Sequence, residues 1–383
     1  MGTPGRWRIS RGQLHLIVFA LSLCVTPLIL PEVLISPLGA RAAWLGTLPA
    51  LGGALWGIAV AVALARRLHG QRFDRGVVGL IGPFAGGIYL AALAALFVTG
   101  APLQLATFTN SARVDVVPYL PGATALMGAG VGLYLARSGP EAIARLATTL
   151  APIVAVGLVV IYGPLFAEVH FGVFLPLRDL SWRQWHSEPV LACTGIVRGF
   201  LGVLVLGPAV AEKPSVGQTL GVAAVAWVLV AASVVLPVAI FDAPLAQLLA
   251  APFLGATSTT TWQWLPVREL APITLLFWYC IVLIVFATYL WLGVSLMEQL
   301  LPFLPRRGTI WVVGAGAATA ALLMDLKLGE PVLRSVFMAW NLAVAGLGIV
   351  VPTGLCLLPG RRARTTAAGA KGRQIRWREG SAG

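Results

Sequence analysis

Arg198 stands where a charge is least expected in this chain. It lies about ten residues into an apolar run, near its mid-depth and beside Gly199 and Phe200. A charged side chain at the centre of a bilayer costs about 2.5–3.5 kcal/mol on insertion scales, so it faces a cavity and has a partner. Two readings suit it. The guanidinium could grip a ligand carboxylate through two parallel hydrogen bonds. It could instead form a structural salt bridge or snorkel toward the outer surface. The residue alone leaves both open.

Other candidates are uncharged. The first apolar run carries Ser22, Thr26, Pro27 and Pro31, and the sixth carries Gly195, Gly199, Gly202, Gly207 and Pro208. A helix interrupted at such places frees backbone N–H groups, whose aligned dipoles hold a carboxylate without any charged side chain. The opposing carbonyls, with Ser22 or Thr26, would hold an ammonium, so an amino acid zwitterion would satisfy both ends. In the eighth run Thr288 and Tyr289 are candidate pocket residues, against the plainer reading of an aromatic packing face. Tyr89 and Thr99 have a weaker claim of the same kind.

Catalysis finds little to work with. Of His15, His69, His170 and His186 only His15 is near an apolar run, and no acid stands beside it at relay spacing. Cys24, Cys193, Cys280 and Cys356 sit alone, without metal or redox spacing. Glu32, Glu188 and Glu212 fall at the ends of runs, as interfacial carboxylates do. We expect no catalytic residue, no metal and no cofactor.

The elements that carry these residues follow from composition. Of 383 residues 58% are hydrophobic and 11% charged, with a mean hydropathy of +0.88; a soluble domain has about 25% charged residues. Soluble enzymes, disordered chains and secreted disulfide scaffolds are thereby excluded. A membrane span needs about 20 apolar residues. Ten runs qualify, at about 12–37, 42–64, 82–107, 123–136, 141–162, 188–211, 216–241, 270–297, 308–324 and 332–358. The first is too long and too interrupted for a cleaved signal segment, so a retained span is expected. Trp182, Trp185, Trp262 and Trp264 lie in the two longest loops, as an interfacial belt would.

The net charge of +13 is explained by topology rather than by nucleic acid. With both termini inside, Arg6, Arg8, Arg11, Arg66, Arg67, Arg72, Arg75, Arg137 and Arg145 all fall on the inner side, and the bias persists without the tail. The expected organisation is a cytoplasmic segment 1–11, a ten-helix bundle 12–358, and a disordered basic tail 359–383 on anionic headgroups. Ten spans divide as five plus five. An odd unit repeated must enter the membrane the other way, giving an inverted repeat with broken helices one and six around a central site. No residue-level similarity between the halves is detected.

Particular residues then resemble a known family. Ile9, Ser10 and Gln13, the apolar run to Leu30 and Pro31, and Ala43, Trp44 and Leu45 are similar to the opening of the spore-germination receptor B-subunit family. Ser138, Gly139, Glu141 and Arg145, then Ala151, Pro152 and Ile153, resemble its fifth span; Leu175, Pro176 and Leu177 and later Pro208 also fit. The resemblance covers about residues 9–300. It departs at the first break, where Ser22, Cys24 and Thr26 replace glycines, and at the sixth, which lacks an acid after Gly199 and Phe200. Polar positions late in the third span are not evident past Ala101, Pro102 and Leu103.

The resemblance implies a polytopic protein of the amino acid–polyamine–organocation transporter superfamily, in the cell membrane or the spore inner membrane, working with A and C receptor subunits. It implies a sensor of small germinants, often amino acids; the residues themselves offer Ser22, Thr26, Arg198, Gly199, Phe200, Thr288 and Tyr289 to hold a small zwitterion. The rival is a secondary amino acid permease coupled to H+ or Na+. A third reading, a scaffold that senses nothing, requires the central pocket to be filled.

Overall fold

A computed structural model describes residues 9–39, 42–116, 122–174, 187–249, 251–260, 269–301, 303 and 306–358. The tail 359–383, the residues before Ile9 and the four loop tryptophans lie outside the described residues.

The described residues with regular structure are helical. The first span is two helices, α1 (Arg11–Leu23) and α2 (Thr26–Leu38), followed by α3 (Thr47–Arg67), the short α4 (Phe73–Ile81), and α5 (Pro83–Asp115). Next come α6 (Ala123–Ser138) and α7 (Pro140–Ala167), and then the sixth span, made of α8 (Glu188–Ala192) and α9 (Gly199–Leu206). The chain ends with α10 (Val216–Leu248), α11 (Pro252–Thr259), α12 (Ala271–Leu300), α13 (Arg306–Lys327), α14 (Glu330–Ala345) and α15 (Val351–Leu357). Nine segments among the described residues are long and apolar enough to cross a membrane. α6, at 16 residues, supplies the tenth; at 1.5 Å per residue it is about 24 Å long.

Local sequence explains several boundaries. Ser10 caps α1 by accepting from the Gln13 N–H while the Gln13 side chain accepts from the Ser10 N–H, a reciprocal capping box. Gly82 and Gly139 have φ of 86° and 97°, a conformation that side-chain-bearing residues resist, and each is followed by a proline that opens the next helix. The seventh span runs past its expected end at 241. Its helix continues to Leu248 across a kink at Asp242, where φ is 63°.

The packing is inverted relative to a soluble protein. Trp56, Ile88, Met127, Val156, Val159 and Val312 are exposed, whereas Thr26, Gln104, Arg198 and Asn341 are buried. An apolar exterior around a polar centre is what a lipid solvent selects, because only polar groups gain from being paired inside. α12 packs along α5, and α14 packs on the turn of the sixth-span break. Those two contacts carry the central site.

Candidate functional site

Both expected breaks are present, and they face each other. In the first span Cys24 leaves the helix with φ 26° and ψ −129°, and Val25 precedes the new helix. A side chain in that region costs of order 1–3 kcal/mol and persists only when its surroundings enforce it. Here the fully buried Trp278 of α12 donates its indole N–H to the Cys24 carbonyl at 2.5 Å. Pro27, which lacks an N–H, opens the second half. Pro31 was expected to share in the interruption; it lies inside α2 with no break there.

In the sixth span a single tight turn, Cys193–Gly195, precedes the non-helical Arg198, whose φ is −96° and ψ 17°. Three glycines permit the approach of its neighbours. A methyl on Gly195 would collide with the Asn341 carbonyl, one on Gly53 with the Thr194 carbonyl, and one on Gly199 with the Ser22 hydroxyl. The break is therefore held by α14, α3 and α1 together. Thr26 completes the crossing by donating to the Ile196 carbonyl at 3.4 Å.

Arg198 occupies that crossing with no exposed surface. Its Nη1 donates to Asn341 Oδ1 at 3.5 Å and its Nη2 to Thr26 Oγ1 at 3.4 Å. The guanidinium carbon lies 5.2 Å from the Phe337 ring centre and 5.1 Å from that of Trp340. Nε has no hydrogen-bond partner, and no ion pair to Arg198 occurs among the described residues. Both hydrogen bonds are at the long limit for the type, and a guanidinium carries five donors. Desolvated cation–π contacts contribute about 2 kcal/mol or more, against several kcal/mol to bury the ion. What this arrangement favours is an anion.

The remaining candidates separate. Tyr289 is fully buried, its hydroxyl has no partner, and its ring lies 5.6 Å from Phe97 and 5.8 Å from Trp340. It is thus one ring away from Arg198. Thr288 turns its hydroxyl back to the Ile284 carbonyl at 2.7 Å, and Ser22 bonds the Val18 carbonyl at 2.8 Å. Phe200 packs against Gly57 and Gly348. Tyr89 donates to the Leu347 carbonyl, and Thr99 to its own helix. Thr26, Arg198 and Tyr289 are gathered at the centre; Gly199 and Ser22 form its close helix contact.

Several central residues escaped the sequence reading. Asn341, Trp340 and Phe337 come from the tenth span, where an isolated asparagine in an apolar run is the available signal. The third span, which offered no evident polar positions, supplies Gln104, Thr107 and Asn110, all buried. Neither amide atom of Gln104 nor the Thr107 hydroxyl has a partner. Gly100, Gln104 and Thr107 share a helix face, which begins against Tyr289 and Trp340 at Gly100 and reaches a small cavity at Thr107. That cavity, about 20 Å³, is also lined by Glu32, Asn110 and Arg334; such a space holds roughly one water.

Ion pairs close the first span at both ends. Arg334 pairs with Glu32 beside the small cavity and reaches Glu330 at 3.3 Å. At the other end Arg11 pairs with Glu212 at 2.7 Å. In a Thr107→Cys protein, opening the first of these by Arg334→Ala is expected to raise labelling by a water-soluble maleimide several-fold. Unchanged labelling would mean that the pair does not seal the path.

A family model described as spore germination protein matches residues 8–327. The chain belongs to the spore germination protein family. The match extends through the ninth span, beyond the part in which the sequence motifs were evident. Among curated proteins no sequence matches this chain. Of solved structures, the transporter MhsT in complex with L-phenylalanine is similar over 92% of this chain and 89% of its own, with a TM-score of 0.66 and 14% identity. That likeness establishes the fold, a five-plus-five bundle with broken helices one and six. The family and the nine apolar segments make this germination protein a multi-pass membrane protein.

Proposed function

We propose that this chain is the germinant-sensing B subunit of a spore germination receptor and that it binds a small zwitterion, such as an amino acid, between spans one, three, six, eight and ten. One observation carries the reading: Arg198 is fully buried between the two helix breaks, with only two long hydrogen bonds and no carboxylate partner among the described residues. The ligand carboxylate completes the guanidinium fork. Its ammonium has acceptors in the Tyr289 hydroxyl and the Gln104 amide oxygen, both without partners. The MhsT complex supports this choice, since a chain of the same fold there holds an amino acid.

The ligand acts by binding one conformation better than another. Entry follows the polar face of the third span, past the Glu32–Arg334 pair, and the altered balance is passed to A and C subunits. Both termini are assigned to the cytoplasmic side by the distribution of Arg and Lys. The bundle occupies 12–358, in the cell membrane or the spore inner membrane. The alternative, a permease coupled to H+ or Na+, draws support from the transporter fold.

The test is thermal stability of detergent-purified protein against amino acids, nucleosides and sugars, followed by liposome flux. Stabilisation by one or a few amino acids, without flux, is expected. Flux of the stabilising ligand would favour the permease. Stabilisation by an uncharged sugar alone, or by nothing, would overturn the zwitterion site and leave a scaffold.

A further inference from the structure

A cavity lies away from Arg198, in the flank of the bundle. It measures about 870 Å³ and runs between α1, α7, α10 and α12. Along α1 its wall extends from Arg11 to Ala20, and along α7 from Ala147 to Leu158. At 1.5 Å per residue these walls are about 14–16 Å deep. That is half of the ~30 Å hydrocarbon thickness, the depth of one leaflet.

The two ends differ chemically. The mouth carries Arg11, His15 and Gln218. Arg11 reaches Gln218 Oε1 at 3.3 Å across the mouth and pairs through Nη2 with the half-exposed Glu212 at 2.7 Å, while its Nε has no hydrogen-bond partner and is left to a phosphate oxygen. The depth is aliphatic, with Val154, Leu158, Val225 and a floor of Ile281 and Ile284 near the middle of α12. Ala155 and Val225 are exposed, so the groove is open on the lipid side. An apolar slot at bilayer depth does not hold water, which would find no polar partners there. A hydrocarbon chain matches its lining and depth.

We propose that this groove is a binding site for one anionic phospholipid from the leaflet at the Arg11 end, with an acyl chain along α1 and α7 and the phosphate at Arg11. Each methylene withdrawn into the groove adds contact to walls that are otherwise unmatched, and the guanidinium selects the headgroup charge. The lipid then braces α1, the half-helix that ends at the Cys24 break, against α7 and α10. Its occupancy is therefore coupled to movement of that half-helix.

Native mass spectrometry of the whole purified protein in mixed phosphatidylglycerol and phosphatidylcholine micelles tests this. Wild type is expected to retain one phosphatidylglycerol, preferred at least tenfold over phosphatidylcholine. Ala155→Trp, which fills the groove from an exposed position, is expected to lose that lipid, and Arg11→Gln to lose the headgroup preference. Ala151→Trp repeats the block should the first variant not fold. Equal retention of the two lipids by wild type, or undiminished retention by a folded tryptophan variant, overturns the proposal.

Discussion

Arg198→Met is expected to abolish stabilisation by an amino acid ligand while leaving the unliganded protein as stable as wild type or more so. The two halves of this expectation have different causes. A ligand at one hundred times its Kd stabilises by about 2.7 kcal/mol, and the variant should lose nearly all of it because methionine offers the carboxylate nothing. The unliganded protein behaves otherwise. Its buried guanidinium has only two long hydrogen bonds and two aromatic contacts. Replacing buried ions with apolar groups of similar size is often neutral or stabilising by about 1–4 kcal/mol. Were Arg198 a structural group, its removal would instead leave the buried Asn341 amide oxygen without its donor and cost about 1–3 kcal/mol. Arg198→Lys separates charge from geometry: the ammonium keeps the sign but lacks the planar fork, so a weakened response is expected. Melting curves of the three proteins with and without ligand decide between the roles.

How far the site was legible in the sequence follows from chain geometry. Arg198 was conspicuous because one charge in an apolar run needs no structural context to be noticed. The break in span six was legible from its glycines. That in span one falls at Cys24, inside the stretch of Ser22, Cys24 and Thr26 read as the first break; what the sequence does not display is the Trp278 indole that holds it, a contact across 254 positions. Thr288 and Tyr289 were read together, yet successive helical residues point about 100° apart, so only Tyr289 reaches the aromatic layer. Asn341 and Gln104 were missed for another reason. Each is an uncharged polar residue on a membrane helix, and only the fold decides whether it faces lipid or the centre.

The break itself rests on contacts between backbones, and adjacent glycines should therefore respond in opposite directions. At Gly53 an added methyl meets the Thr194 carbonyl oxygen, with the carbonyl carbon at 2.8 Å. At Gly195 it meets the Asn341 carbonyl oxygen, with the Ala345 nitrogen at 3.0 Å. Neither obstacle is a side chain that can rotate away. Relief requires α3 or α14 to move off the sixth span, and overpacking of that kind costs about 1–3 kcal/mol or more. Gly52, one position earlier on α3, has nothing within 4 Å of the same methyl. There alanine removes only the conformational freedom of glycine, worth up to about 1 kcal/mol in a helix. Gly53→Ala and Gly195→Ala are thus expected to lower the melting temperature sharply or to prevent a monodisperse protein, and Gly52→Ala to raise it slightly. The ligand response should follow the same order, since Thr194 and Gly195 lead directly into Arg198. Size-exclusion profiles and melting curves of the three variants check this; a tolerated Gly195→Ala would mean that α14 does not press on the break, and the geometry argued for Arg198 and Asn341 would fall with it.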